Sequence, residues 1–154
     1  MAIPFYGQNK DGDALDLLSN GKLVGVVSVA AGVHQTLTAN DSGKLIVIAP
    51  NSTEVTLPRC AAGMHFTIVL SGDYDTAACL VNQGHADDDF VGAFYGSTQG
   101  ESAGTDADPA AAANTKITFA AAGLAGDKVH LVSDGTKWYV SAFAQVYNAI
   151  TFDN

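Results

Sequence analysis

Acids, histidines, cysteines and one serine are the residues of this 154-residue chain whose types and spacing bear on chemistry. The acids gather at Asp73-Tyr74-Asp75 and Asp87-Asp88-Asp89. Calcium takes several carboxylate oxygens from a flexible loop, so such clusters raise the question of an ion site. The EF-hand glycine and its closing glutamate are missing here, and solvated loop acids are the expectation. His34, His65, His85 and His130 form no H-E-x-x-H and no i, i+2 pair. His65 and His130 fall on outward strand positions, where a metal would need adjacent strands and a further ligand. Cys60 and Cys79 allow at most one bridge and lie in no C-x-x-C pair, so buried free thiols are expected. Gly100-Glu101-Ser102-Ala103-Gly104 carries the letters of the G-x-S-x-G elbow. That elbow needs a strand before it and a helix after it, and polar loop residues flank this copy. Glu54 and Glu101 are the only glutamates and the remaining acids cluster in loops, a poor basis for a glycosidase carboxylate pair. The sequence holds neither G-x-x-x-x-G-K-[ST] nor a G-x-G-x-x-G after a strand. The expectation is a non-enzyme with no catalytic, cofactor-binding or metal-binding residues.

The elements that would position any such groups are strands. In Lys128–Val132, Val129 and Leu131 share one face while Lys128 and His130 take the other. Ser133-Asp134-Gly135-Thr136 follows as a turn, with Asp134 able to bond the backbone ahead and Gly135 free to take positive φ. Lys137-Trp138-Tyr139-Val140 returns as the hairpin partner, with Trp138 and Val140 inward. Upstream, Leu23–Val29 is the first strand and Leu37 sits on the second. Leu45–Ile48 is apolar on both faces, the pattern of a central strand covered on both sides. Val55 and Leu57 share a face on a short strand that Pro58 ends. Met64, Phe66, Ile68 and Leu70 alternate with His65, Thr67 and Val69 in what reads as the longest regular strand. Ala77–Val81, Phe90–Tyr95, Ile117 with Phe119, and Ala149–Phe152 complete the set. Residues 1–22 read as an arm and 23–154 as one β-domain, with 96–114 a long surface loop poor in large apolar residues. The fold class expected is all-β, a single-domain sandwich or jelly-roll-like barrel with an N-terminal arm.

Composition narrows the function classes. A hydrophobic fraction of 47% with 15% charged residues supports a packed core. The formal charge of −9 and seven scattered Lys and Arg weigh against nucleic-acid binding. No apolar run is long enough to span a bilayer, and the first residues lack the basic-then-apolar order of a secretory signal, so synthesis in the cytoplasm is expected. Pro4, Phe5, Tyr6, Leu15, Leu17 and Leu18 give the arm apolar groups suited to a neighbouring subunit or a larger partner.

Taken in order, T-L-T-x-x-D-S-G-K from Thr36, a strand, V-T-L-P from Val55, A-A-G-x-x-F-T-I from Ala61 and G-D-x-V-x-L-x-S-D-G-T-x-W-Y-V from Gly126 make a longer pattern. It resembles small β-structured virion proteins of tailed bacteriophages, many of them capsid decoration (cement) proteins and some parts of tail fibres. The resemblance covers roughly residues 36–70 and 115–152. It implies a structural protein on the capsid exterior, bound to the major capsid protein, stabilising the head and forming a homotrimer. The alternative it leaves open is a tail-fibre or other glycan-binding or receptor-binding β-module. For that, Tyr74, Tyr95 and Tyr139 are the exposed aromatic candidates.

Overall fold

Alternation with period two decides which side chains meet in the core, and the computed structural model, which describes residues 25–96 and 114–153, follows it along eleven strands. These are β1 (Val26–Val29), β2 (His34–Thr36), β3 (Leu45–Ile48), β4 (Glu54–Thr56), β5 (His65–Leu70) and β6 (Cys79–Asn82). They continue as β7 (Phe90–Gly96), β8 (Lys116–Phe119), β9 (Lys128–Ser133), β10 (Trp138–Ala144) and β11 (Ile150–Asp153). One 3-10 turn, Ala39–Asp41, is the only helical element among the described residues.

Two mixed sheets result. The six-stranded sheet runs β1-β3-β5-β9-β10-β7 and the five-stranded sheet runs β11-β8-β6-β4-β2. Their apolar sides form one core, in which Ile46, Ile48, Phe66, Ile68, Val129, Leu131 and Trp138 meet Val55, Val81, Ile117 and Phe119. Trp138 is fully buried and lies 5.7 Å from the Phe66 ring, at a tilt that suits the opposed charges of ring face and edge. The arrangement is a sandwich, and no closed barrel is present among the described residues.

The connectivity has a physical consequence. From β1 to β6 the chain alternates between sheets, so β1, β3 and β5 are parallel in one sheet and β2, β4 and β6 are parallel in the other. This is a flattened coil, in which each strand pairs with the strand one coil later. A jelly roll is built from antiparallel Greek keys. The coil therefore excludes the jelly-roll alternative and leaves the sandwich. The chain then changes mode. β9 pairs antiparallel with both β5 and β10, and β7 adds parallel to β10 at the far edge.

Most strand positions fall where the alternation put them, with three corrections. Ile46 and Ile48 are in the core, but Leu45 and Val47 are only half-buried, because no layer of the described residues covers the outside of the sheet. β3 is central within its sheet, not sandwiched on both faces. β5 is six residues long and is exceeded by β7 and β10 at seven each. Gly96 ends β7, and Asn114 is buried with its backbone bridged to Phe90, so the loop is narrower than 96–114 and its remainder lies outside the described residues. The arm also lies outside them.

The hairpin turn forms as its residues dictate. Gly135 has φ of +99°, and Asp134 Oδ1 accepts from the N–H of Thr136 and of Lys137 at 2.7 and 3.0 Å. These bonds, the Thr136 amide first, hold the Asp134 carboxyl well below the usual carboxylate range. Gly92 answers a different need. A Cβ there would collide with the carbonyl of Val140, so only glycine lets β7 approach β10 this closely.

Candidate functional site: the outer face of the six-stranded sheet

The side chains that point away from the core on this sheet fall into three rows across the strands. Tyr95, Phe143, Lys128, Val69, Val47 and Ser28 make the first. Ala93, Ser141, His130, Thr67, Leu45 and Val26 make the second. Val91, Tyr139, Val132 and His65 make the third. No aspartate or glutamate occupies any of these strand positions, in a chain with 16 of them. Five of the seven large apolar side chains exposed among the described residues stand here: Val26, Tyr95, Val132, Tyr139 and Phe143. Each is 40–59% exposed. Large exposed apolar groups gathered on one face mark an interaction surface more often than isolated ones do.

The aromatic end of the face is its most structured part. Parallel pairing sets Tyr95 beside Phe143, and their rings stack with centroids 5.5 Å apart. The Lys128 ammonium sits 5.9 Å from the Phe143 centroid, within reach of its π face. Tyr139 donates its hydroxyl to Asp134 Oδ2 at 3.1 Å, which raises the phenol above its ordinary value. Beside the stacked pair opens a groove of about 420 Å³, bordered by Gly126, Asp127 and Gln145. Its polar groups are largely committed: Asp127 accepts from the N–H of Leu124 and of Gln145, and the Gln145 side chain donates to the carbonyl of Ala125 at 2.6 Å.

The other singled-out residues take these places. Tyr74 is half-buried, on the connection after β5, and does not join Tyr95 and Tyr139. Phe143 was not singled out, although extending the alternation from Tyr139 by four residues reaches it. The strands of His65 and His130 are neighbours, but Thr67 is the residue opposite His130, and its hydroxyl lies 3.1 Å from the His130 ring nitrogen. His34 pairs with Glu54 at 3.5 Å and His85 with Asp87 at 3.4 Å. Among the described residues no three His, Cys, Asp or Glu side chains gather as metal ligands would.

One acid departs from expectation. Asp87 is solvated, but Asp88 is buried. Asp88 accepts from the Cys60 backbone N–H at 2.8 Å and from the Cys60 thiol at 3.0 Å. It is a structural acceptor tying the Asp87–Asp89 turn to the segment after β4, because the turn brings it over an amide that has no strand partner. Cys60 and Cys79 are both free and buried. Burial, reinforced by the Asp88 carboxylate, pushes the Cys60 thiol up to about 11. Ser102 and Glu101 lie outside the described residues, as do Pro4, Phe5, Tyr6, Leu15, Leu17 and Leu18. Comparison with family models, with curated proteins and with solved structures finds no match to this chain.

Proposed function

We propose that the chain is a structural virion protein of the capsid decoration type. It binds the outer surface of a tailed-phage head, against the major capsid protein, through the outer face of the six-stranded sheet. The observation that carries this reading is the face itself: broad, apolar at five exposed positions and with no carboxylate at any outward strand position, in a chain of net charge −9. Adhesion of this kind needs no catalytic group. Burying apolar surface at about 25 cal/mol per Å² adds stability at a contact after the cost of immobilisation is met. The strong negative charge is then left for the sides that face solvent or away from a DNA-filled interior. The resemblance of residues 36–70 and 115–152 to virion proteins supports the same reading and adds the homotrimer, with the arm residues as its contacts. Mass spectrometry of purified virions tests it. The chain should be present at a copy number in the hundreds, on the order of the capsid lattice; absence from virions overturns it.

A second reading, a glycan-binding tail-fibre module, is favoured by the groove beside Tyr95 and Phe143. The stacking of these two rings on each other occupies one face of each, and sugar rings bind on aromatic faces. Saturable binding on a glycan array, lost in Phe143→Ala, would support this reading over decoration.

A further inference from the structure

The coil leaves an edge open where it begins. β2 pairs with β4 on one side, and no described strand pairs with the other. Along a strand the backbone groups of successive residues point to alternate sides. The Val33 carbonyl accepts from Glu54 at 3.1 Å and the Leu37 N–H donates to Thr56 at 2.8 Å, so these positions are committed to β4. The N–H and C=O of His34 and Thr36 therefore point to the open edge. There the Thr36 carbonyl accepts from the amide of its own neighbour, Gln35 Nε2, at 2.9 Å. An edge with free donors and acceptors is a template for one more strand.

The coil steps by 19 to 26 residues, and its first two steps, Val26 to Leu45 and Gln35 to Val55, are 19 and 20. Gln35 lies opposite Val55 and Thr36 opposite Thr56, a step of 20 residues. Leu37 and Leu57 are both buried, at the same point of successive coils. The same step taken backwards reaches Leu15, Asp16 and Leu17. Leu15-Asp16-Leu17, Gln35-Thr36-Leu37 and Val55-Thr56-Leu57 share a polar centre and a closing leucine. The run from Leu17 to β1 is also only one residue longer than the run from Leu37 to β3. In a chain that alternates sheets, the strand before β1 belongs to the five-stranded sheet, next to β2.

We infer that the open edge of β2 is a docking site for this chain's own Leu15-Asp16-Leu17, added in parallel with Leu15 beside Gln35 and Leu17 beside Leu37. The Leu17 N–H donates to the Thr36 carbonyl, as the Leu37 N–H donates to that of Thr56. The two leucines extend the inward rows, Leu15 covering the half-buried Gln35, while Asp16 stands outward beside Thr36. Leu15 and Leu17 thus leave the set of subunit contacts, and Pro4, Phe5, Tyr6 and Leu18 remain in it.

Amide hydrogen exchange by NMR on the full chain, at two concentrations tenfold apart, tests this. The His34 and Thr36 amides should be protected at both concentrations. Leu17→Pro removes the proposed donor and should lower their protection on the order of 10-fold or more while the β9 and β10 amides keep theirs. Leu15→Asp, which leaves the backbone donors in place, should have the same effect to a smaller degree, and Asp16→Lys none. Exchange of His34 and Thr36 at free-peptide rates in the unsubstituted chain overturns the inference, as does protection that neither Leu17→Pro nor Leu15→Asp moves. Protection that is lost on dilution assigns the strand to a neighbouring copy and overturns the intrachain pairing.

Discussion

The two outer faces of the sandwich are built on the same alternation and carry opposite chemistry. On the five-stranded sheet the outward rows are His34, Glu54, Leu80, Thr118, Thr151 and Thr36, Thr56, Asn82, Lys116, Asp153. These groups answer one another locally: Thr118 and Thr151 both donate to Asp153 Oδ2, at 2.6 and 3.2 Å, and His34 meets Glu54. On the six-stranded sheet the corresponding positions hold Val26, Leu45, Val69, Val132, Tyr139 and Phe143, with Lys128 as the only Lys or Arg. A sandwich that needed only to be soluble would carry threonine and charge on both of its outer faces. The polar face shows that this chain can build such a surface, and the apolar one is the feature on which the proposed docking rests.

The contrast rests on parity, and substitutions that disturb parity or pairing should break it. The largest effect is expected for Gly92→Val. A side chain there strikes the Val140 carbonyl, so β7 must leave β10 and the Tyr95–Phe143 stack must separate. A loss of about 2–4 kcal/mol in urea unfolding is expected, as for forced overpacking with backbone displacement. Unchanged stability would mean that β7 does not lie against β10 and that the aromatic end of the face does not exist.

Next is Asp88→Ala, which leaves the buried Cys60 N–H and thiol without their acceptor at about 1–3 kcal/mol. Asp87→Asn should change stability by less than about 0.5 kcal/mol, as for exposed surface positions. Equal effects of the two would return all three acids to the solvated loop expected of them. Gly135→Val should cost about 1–2 kcal/mol through strain at its positive φ. An unaltered melting temperature would contradict the hairpin that places Tyr139 and His130 on the apolar face.

The smallest effect concerns pH. Asp41 accepts from the Lys44 ammonium at 2.7 Å and from the Thr38 N–H at 2.8 Å. The lysine bond first, then the Thr38 bonds, lower its carboxyl from 3.8 to about 2. A carboxyl lowered by folding contributes stability that is fully present above its unfolded value and is lost as pH falls through the folded one. Acid titration of stability should therefore show a small loss between pH 3.8 and 2 that Asp41→Asn removes.

Much of this was legible because alternation is local. Phe66, Ile68 and Leu70 declare one face without reference to any other strand, and Trp138 and Val140 declare another across a turn that Gly135 marks. Which strand lies beside which is not local. Nothing near Ile46 states that its neighbour is Ile68, so the parallel coil was hidden although the inward residues were not. The 20-residue step between Thr36-Leu37 and Thr56-Leu57 was the available signal for it. Tyr95 was visible as an aromatic, but its stacking on Phe143 depends on a pairing 48 positions away. Asp88 could not be told from Asp87 and Asp89, because the amide that needs it belongs to Cys60, far upstream.

The central claim, that the six-stranded sheet docks by its outer face, is tested most directly by co-sedimentation of purified protein with phage capsids stripped of decoration. Phe143→Glu, on the apolar face, should weaken binding on the order of 100-fold or more, the scale of a buried aromatic anchor lost from an interface. Thr56→Glu, on the polar face, should leave binding within about twofold, and both variants should keep the melting temperature of the unsubstituted chain to within a few degrees, as outward-facing surface positions do. Equal binding by Phe143→Glu and the unsubstituted chain, or loss of binding in Thr56→Glu alone, would contradict the account.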